Sequence, residues 1–139
     1  MPDLHATIVP GRTAAGIVVG TPVSELDLAG ASFAQLQDGI SVCHLGPVRV
    51  WIRNGVVDQV GVQGAYSGSI ERSGIRIGNT LRDVVEALGP IFEDDEDNLV
   101  VRGVPGICFE TEQWRGEPGG ETVDQNLDAR ITEIVVFSP

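Results

Sequence analysis

The residues of this sequence with the widest chemical repertoire are two histidines and two cysteines. Cys43 and His44 are adjacent, and a thiol beside an imidazole is the composition of a nucleophilic pair. Neighbouring residues of a strand point to opposite faces, so this pair cannot easily meet if the segment is extended. A Cys–His metal site needs about four ligands at suitable spacing, and His5 and Cys108 do not complete one. The sequence therefore predicts no catalytic residue, no metal site and no bound cofactor.

The densest charge in the chain is the run of acidic residues 93–97, which Asn98 follows. A calcium loop would alternate its acids and place a glycine and a late glutamate after them, but Gly103 and Glu110 come at the wrong spacing. Paired carboxylates for glycosidic chemistry lie on two walls of a cleft and not in one run. Two interpretations remain, a solvated turn and a docking patch for a basic protein.

A second acidic stretch, residues 113–128, combines several carboxylates with a tryptophan and several glycines. Loops of this length usually have a function or are disordered. Trp114 could anchor a partner, or it could fold back on the sheet of a mobile hairpin. Together with an exposed Trp51, the two acidic stretches give the candidate partner-binding residues Glu93, Asp94, Asp95, Glu96, Asp97, Trp114, Glu117, Glu121, Asp124 and Asp128.

The global charge limits the classes of partner. The net charge of −11 argues against unspecific binding of nucleic acid, because phosphate recognition needs an excess of cations. All nine cations are arginine, so a Schiff-base lysine and a P-loop lysine are excluded. No stretch approaches the roughly 20 apolar residues of a membrane span. Two cysteines without a CxxC spacing indicate reduced, buried thiols, and we expect a cytoplasmic protein.

The elements that must position these residues begin with a helix over residues 80–88. Thr80 is placed to cap it, Asp83 follows three residues later, and Gly89 ends it. A second short helix is expected over residues 32–39, where a serine precedes a glutamine by three positions and a glycine ends the segment. Asn54-Gly55, between strands 48–53 and 56–62, predicts a type I′ hairpin.

A repeat organises the chain. Residues 16–26 match residues 74–84 at an offset of 58, and residues 57–62 match 131–136 at an offset of 74, so the second copy carries a 16-residue insertion. We expect one compact domain, 1–139, of two repeats, about 14–62 and 72–138, joined by a linker at about 63–73. Each repeat would be a short helical segment on an antiparallel meander of about three strands, an α+β fold. Ser67, in the linker, has no visible base.

Trp51 has two possible environments. It alternates with Val50 and Ile52, so if the aliphatic set faces the core, Trp51 is exposed between Arg49 and Arg53, a composition common at protein interfaces. The alternative is that Trp51 is a core residue, as its match in the second copy, Phe109, would also be.

The segments 74–78, 80–90 and 131–137 resemble the repeat of the SmpA/OmlA (BamE) family of outer-membrane-assembly lipoproteins, which is also the tandem unit of the β-lactamase inhibitor protein. The resemblance covers about 110 residues, and it implies a scaffold for binding proteins. It transfers no site, and no lipoprotein leader precedes a cysteine here.

These observations predict an acidic binding protein, and not an enzyme, that neutralises a basic partner as an immunity protein neutralises a bacterial toxin. Acidic complementarity would speed association and make it sensitive to salt. Two alternatives stay open. One is a small-molecule-binding domain or enzyme that uses the groove between the repeats, and the other is an envelope assembly factor that has lost its leader.

Overall fold

The computed structural model describes residues 2–112 and 123–139. Its strands are β1 (Thr13–Ala14), β2 (Ile17–Val18), β3 (Ser32–Gln37), β4 (Ile40–Leu45), β5 (Val48–Arg53), β6 (Val56–Gln63), β7 (Ile91–Glu93), β8 (Leu99–Val101), β9 (Val104–Thr111) and β10 (Ile131–Phe137). One α-helix, α1 (Leu81–Leu88), and two single 3-10 turns, Val23–Glu25 and Asp124–Asn126, complete the described elements.

Eight of these strands form one antiparallel sheet in the order β3-β4-β5-β6-β10-β9-β8-β7. Each half of the chain contributes a four-stranded meander, and the halves meet where β6 pairs with β10, with Val62 opposite Ile134 and Val60 opposite Val136. The small β1-β2 hairpin lies outside this sheet. The chain therefore builds one continuous sheet, and β3 and β7 are its edge strands among the described residues.

This architecture corrects the expected fold class. The prediction of two repeats, each a helical segment on its own meander, is wrong. The described residues form a mainly β structure, with a single α-helix and one large antiparallel sheet. The first half has only the 3-10 turn Val23–Glu25 where a helix was expected. Its neighbours Leu26 and Leu28 pack against the core as extended chain. Direct pairing of β6 with β10 merges what would have been separate sheets.

The helix predicted over residues 32–39 is also wrong. These residues form β3 and its turn into β4, with Ser32 opposite His44 and Ala34 opposite Val42. Gly39 has a φ of +75°, which suits the tight turn between the two strands better than a helix end. A capping pattern is a weak local preference, and here the hydrogen bonds to β4 override it.

Two local predictions are confirmed. The side chain of Thr80 accepts a hydrogen bond from the backbone N–H of Asp83, and the Asp83 carboxylate accepts one from the N–H of Thr80, which makes a complete capping box for α1. Between β5 and β6, Asn54 and Gly55 have φ angles of +51° and +79°, as a type I′ turn requires.

The core lies on one face of the sheet, which we call the covered face. Val50, Val60, Val136 and Ile107 occupy neighbouring strands in one row across it, and each is fully buried. Leu81 and Val84 of α1 belong to the same core, as do Ala14 of β1 and Ile17 of β2. Burial of aliphatic surface here is the main source of stability.

Residues 63–73, expected to be a linker, also contribute to this core. Tyr66 and Ile70 are buried, and the Tyr66 hydroxyl accepts a hydrogen bond from the N–H of Ala15 and donates one to the carbonyl of Ala6. Ile8 pairs with Ile70 in a parallel bridge. The segment therefore holds the N-terminal residues against the sheet.

Across residues 2–112 and 123–139 there is no helix with the length and apolar character that a bilayer crossing demands.

Candidate functional site

The second face of the sheet, which we call the open face, carries polar and aromatic side chains together with buried apolar ones, among them Val135. The packed apolar residues of α1, β1 and β2 all join the core of the covered face, which leaves the open face without a covering element among the described residues. On β5, Val50 and Ile52 point to the covered face, while Arg49, Trp51 and Arg53 point to the open face. The alternation seen in the sequence is thus confirmed.

Trp51 does not share the environment of Phe109. Trp51 lies half-buried on the open face, opposite Val42 of β4 and Gln59 of β6. Phe109 is buried in the core and pairs with Ile134. The expectation that both are equivalent core residues is therefore wrong, because the two residues lie on opposite faces of the sheet.

Arg49, Trp51 and Glu133 form a compact cluster at the centre of the open face. The Arg49 Nε donates to Glu133 Oε2 at 2.8 Å, and a second guanidinium nitrogen donates to Oε1, which makes a bidentate pair. The guanidinium carbon lies 4.7 Å from the centroid of the Trp51 ring. The Glu133 side chain is only 4% exposed, against 31% for Arg49. Donation of these hydrogen bonds to Glu133 raises the pKa of Arg49, so the guanidinium stays charged.

Gly61 provides the space for this cluster. A Cβ atom at this position would lie 2.7 Å from Glu133 Oε2 and 3.0 Å from Trp51 Cζ3. Both side chains therefore lean over the bare backbone of β6, between Arg49 on one side and Val135 on the other. The cluster has a defined geometry before any partner binds, which lowers the entropy cost of binding.

More negative charge lies beside the cluster. Glu110, an exposed residue of β9, stands directly opposite Glu133, so two carboxylates face the single guanidinium of Arg49. Like charges in directly opposed positions of a sheet repel each other. A cation from outside would relieve this repulsion, and Glu110 also contributes to the raised pKa of Arg49.

Neither cysteine is activated. Cys108 lies on the open face opposite Val135, and burial, followed by the charges of Glu110, Asp94 and Glu133, raises its pKa to about 12. Cys43 lies in the core, and burial raises its pKa as well. Both thiols are free and protonated at neutral pH, and a nucleophilic or metal-binding cysteine must be a thiolate. The described residues contain no group of three His, Cys, Asp or Glu side chains that could hold a metal ion.

The acidic run folds into a tight turn at the rim of the open face. Asp94 is structural, because its Oδ1 accepts hydrogen bonds from the backbone N–H groups of Glu96 and Asn98, each at 2.9 Å. Asp95, Glu96 and Asp97 are exposed and free to meet solvent or a partner. The turn borders a concavity of about 500 Å³, lined by Gln59, Asp94, Asp95, Glu96, Asn98, Cys108 and Phe137.

The other candidate residues do not join this site. Asp128 forms a salt bridge of 3.3 Å with Arg82 of α1, so it lies beside the helix that packs on the covered face. Asp124, in the 3-10 turn Asp124–Asn126, is exposed. Trp114, Glu117 and Glu121 lie outside the described residues. Glu93 ends β7 and is half-buried.

The structure also supplies a base for Ser67, which the sequence did not reveal. Its Oγ is hydrogen-bonded to Nδ1 of His5, a residue 62 positions away. The carboxylate of Asp3 accepts from the backbone N–H of His5 and not from its ring. The N–H groups of Ser67 and Gly68 both donate to the carbonyl of Leu4, so neither can stabilise an oxyanion. The contact fastens the N-terminal segment and is not a catalytic dyad.

Arg49, Glu110 and Glu133 escaped the sequence-based selection of site residues. Trp51 was found because it lies beside two arginines in a regular alternation. Glu133 sits in a strand whose pattern marks it only as a polar position, and its ion pair spans 84 residues. No local signal could have shown that pairing.

Comparison with known proteins gives a fold and no function. No protein-family model and no curated protein sequence matches the chain. Among solved structures, the crystal structure of the uncharacterized protein yfeY from Escherichia coli is similar, with a TM-score of 0.66 and 16% sequence identity. The alignment covers 95% of this chain and 99% of that one. At this identity the similarity shows a shared fold alone.

Proposed function

We propose that this protein is an acidic protein-binding module that docks the open face of its sheet on a basic partner. The observation that carries the proposal is the Arg49–Trp51–Glu133 cluster, which is preorganised on a face that no described element covers. Tryptophan and arginine are the residue types most enriched where binding energy concentrates at interfaces. A cluster of this kind supports binding better than it supports stability, because a buried ion pair often stabilises a fold no more than apolar residues would.

Charge supports a basic partner. The chain carries a net charge of −11, and the turn 94–98 places Asp95, Glu96 and Asp97 at the rim of the open face. Rim charges mainly raise the association rate and make it salt-dependent, while central contacts set the dissociation rate. An inhibitor or immunity-type role, with a bacterial toxin as the basic partner, fits this division. The two free thiols favour the cytoplasm as the compartment.

The experiment is affinity capture from the native host at low and high salt, with three forms of the protein as bait. The rim variant carries Asp95→Asn, Glu96→Gln and Asp97→Asn. The matched control carries Glu86→Gln, Asp124→Asn and Asp128→Asn, which removes the same charge on the side of α1. The expected result is a basic protein, identified by mass spectrometry, that wild type and control capture and that the rim variant captures at least tenfold less.

The central contact is tested with the captured partner. Trp51→Ala should raise the dissociation rate constant by about 30-fold or more, as loss of an interface hot spot of about 2 kcal/mol implies. Surface plasmon resonance measures this rate directly. Recovery of no protein at low salt would contradict the proposal. If the rim and control variants capture equally less protein, the attraction is unspecific and the proposed docking face is wrong.

A second candidate function is binding of a small molecule, favoured by a separate groove of about 610 Å³ between the two halves of the chain. Residues of both halves line this groove, among them Pro47, Ile77, Arg130 and Ile131. A thermal-shift screen with metabolites discriminates this function, because a ligand that binds the native state raises the melting temperature without any protein partner. Ile77→Trp, which fills the groove, should abolish such a shift.

A further inference from the structure

The edge strand β3, to which no further described strand pairs, has no charged residue and no proline to block pairing with another strand, and its one irregularity is a register shift against β4 near its end, between Gln35 and Gln37. β3 has six residues, all exposed, and none is charged or a proline. Phe33 and Leu36 are 57% and 54% exposed, the highest values among the large apolar residues that the structure describes. An edge strand presents a row of unpaired N–H and C=O groups, and natural proteins usually shield it with charges, proline or a bulge. At β3 the last carbonyl, that of Gln37, accepts a hydrogen bond of 2.6 Å from the side-chain amide of Gln35.

The opposite edge shows what protection looks like in the same sheet. β7 has only three residues, and Pro90 precedes it. The acidic run 93–97 follows at once, so any approaching strand of an acidic protein meets repulsion. Short length, proline and charge are the features that block edge pairing. Three of these features thus protect the β7 edge, whereas the β3 edge has only the register shift between Gln35 and Gln37.

We propose that β3 pairs antiparallel with β3 of a second copy of this chain, which joins two eight-stranded sheets across a two-fold axis. An antiparallel edge is self-complementary, because the same donors and acceptors face each other after the rotation. The distribution of charge determines where two copies can approach each other. The chain carries −11, and β3 is an uncharged strip along which two copies can approach without placing like charges directly opposite.

The same charge sets the strength of the pairing and its dependence on salt. A strip of six residues gives an interface at the weak end of the known range, so we expect a dissociation constant on the order of 10⁻⁴ M. Repulsion between two acidic copies opposes the pairing, and it is screened by salt. The dimer should therefore tighten by about tenfold between 50 mM and 500 mM NaCl. Binding of a basic partner on the open face weakens over the same range, so the inference does not rest on the proposed function.

Sedimentation equilibrium of the whole chain, at protein concentrations from about 10 µM to 1 mM and at both salt concentrations, tests the proposal. The expected result is a reversible dimer favoured by salt. Hydrogen exchange read by mass spectrometry should show protection of residues 32–37 that grows with protein concentration, while peptides from β7 stay unchanged. A monomer under all these conditions, or a dimer that leaves residues 32–37 unprotected, overturns the proposal.

Leu36→Lys, with Phe92→Lys as its control, assigns the contact to the edge. Both positions are exposed, at 54% and 38%, so both variants should fold, and circular dichroism checks this. Each adds one positive charge, which alone would favour association of an acidic chain. Leu36→Lys should nevertheless weaken the dimer at least tenfold, while Phe92→Lys on β7 should change it less than threefold. Equal dimerisation of wild type and Leu36→Lys contradicts the proposal.

Discussion

Two neighbouring rows of residues cross the central strands on opposite faces of the sheet. Different kinds of side chain cover the two rows. On the covered face, Val50, Val60, Val136 and Ile107 are sealed by α1 and the N-terminal segments. On the open face, the parallel row consists of Arg49, Gly61, Val135 and Cys108. The side chains that lie over Gly61 are those of Glu133, which is paired with Arg49, and of Trp51. The first row is built for stability. The second keeps charge at a place where aliphatic packing would have served the fold, and the proposed binding role rests on this difference.

The same substitution on adjacent residues of β10 tests this difference most strongly. Val136→Ala, in the fully buried row, should cost about 2 to 3 kcal/mol of unfolding free energy, from lost burial and the cavity that remains. Val135→Ala, on the open face, should cost about 1 kcal/mol, because Val135, although only 5% exposed, lies outside the main aliphatic core, where neighbouring side chains can close the gap. Urea unfolding followed by circular dichroism measures both. Equal costs would break the comparison between the faces.

Arg49→Met probes the ion pair. It leaves Glu133 buried without its partner, and we expect a loss of about 2 kcal/mol, less than for a fully buried pair because Arg49 is partly exposed. The double variant Arg49→Met, Glu133→Leu removes the orphaned charge as well and should recover at least half of the lost stability. If the double variant is no more stable than the single one, the ion pair itself contributes to the free energy of unfolding, as the aliphatic row does, and the comparison between the faces fails.

Gly61→Ala asks whether the cluster is rigid. In an open strand, replacing glycine by alanine stabilises a protein by about 0.4 to 1 kcal/mol. Here the new Cβ would meet the carboxylate of Glu133 and the ring of Trp51, so we expect instead a loss of about 1 kcal/mol. Tryptophan fluorescence should change with it. In a Glu133→Ala background the loss should become smaller, because only the Trp51 ring at 3.0 Å then opposes the new Cβ, and an unchanged loss there would mean that Glu133 does not cause the clash.

The smallest expected effect concerns the cap of α1, on the covered face. The backbone N–H of Thr80 lowers the pKa of Asp83 in the folded state. A lowered carboxyl pKa stabilises the fold above its unfolded value, about 3.9, and the contribution disappears as the pH falls through the folded value. Asp83→Asn should therefore lower the melting temperature slightly at pH 6 and leave it unchanged at pH 2. A difference that persists at pH 2 would assign the effect to lost hydrogen bonding alone.

Local patterns predicted the elements whose determinants lie close together in the sequence. The capping box of α1 needs only Thr80 and Asp83, and the β5-β6 turn needs only Asn54 and Gly55, so both were found. β3 was missed because Ser32, Gln35 and Gly39 imitate the two ends of a short helix, whereas the strand is stabilised by pairing with β4. At the site, the acidic turn was found from its composition, but its Asp94 proved to be structural.

The sequence by itself determined the acidic charge, the amphipathic α1 and the alternation that puts Trp51 and Arg49 on one face of β5, since these follow from residue types and short spacings. Tertiary structure alone decided that β6 pairs with β10, so that Glu133 crosses from one half of the chain to meet Arg49 of the other over the bare backbone of Gly61. The reason is physical. Strand pairing joins residues that are distant in the chain, and its register depends on packing across the whole sheet and not on any local preference.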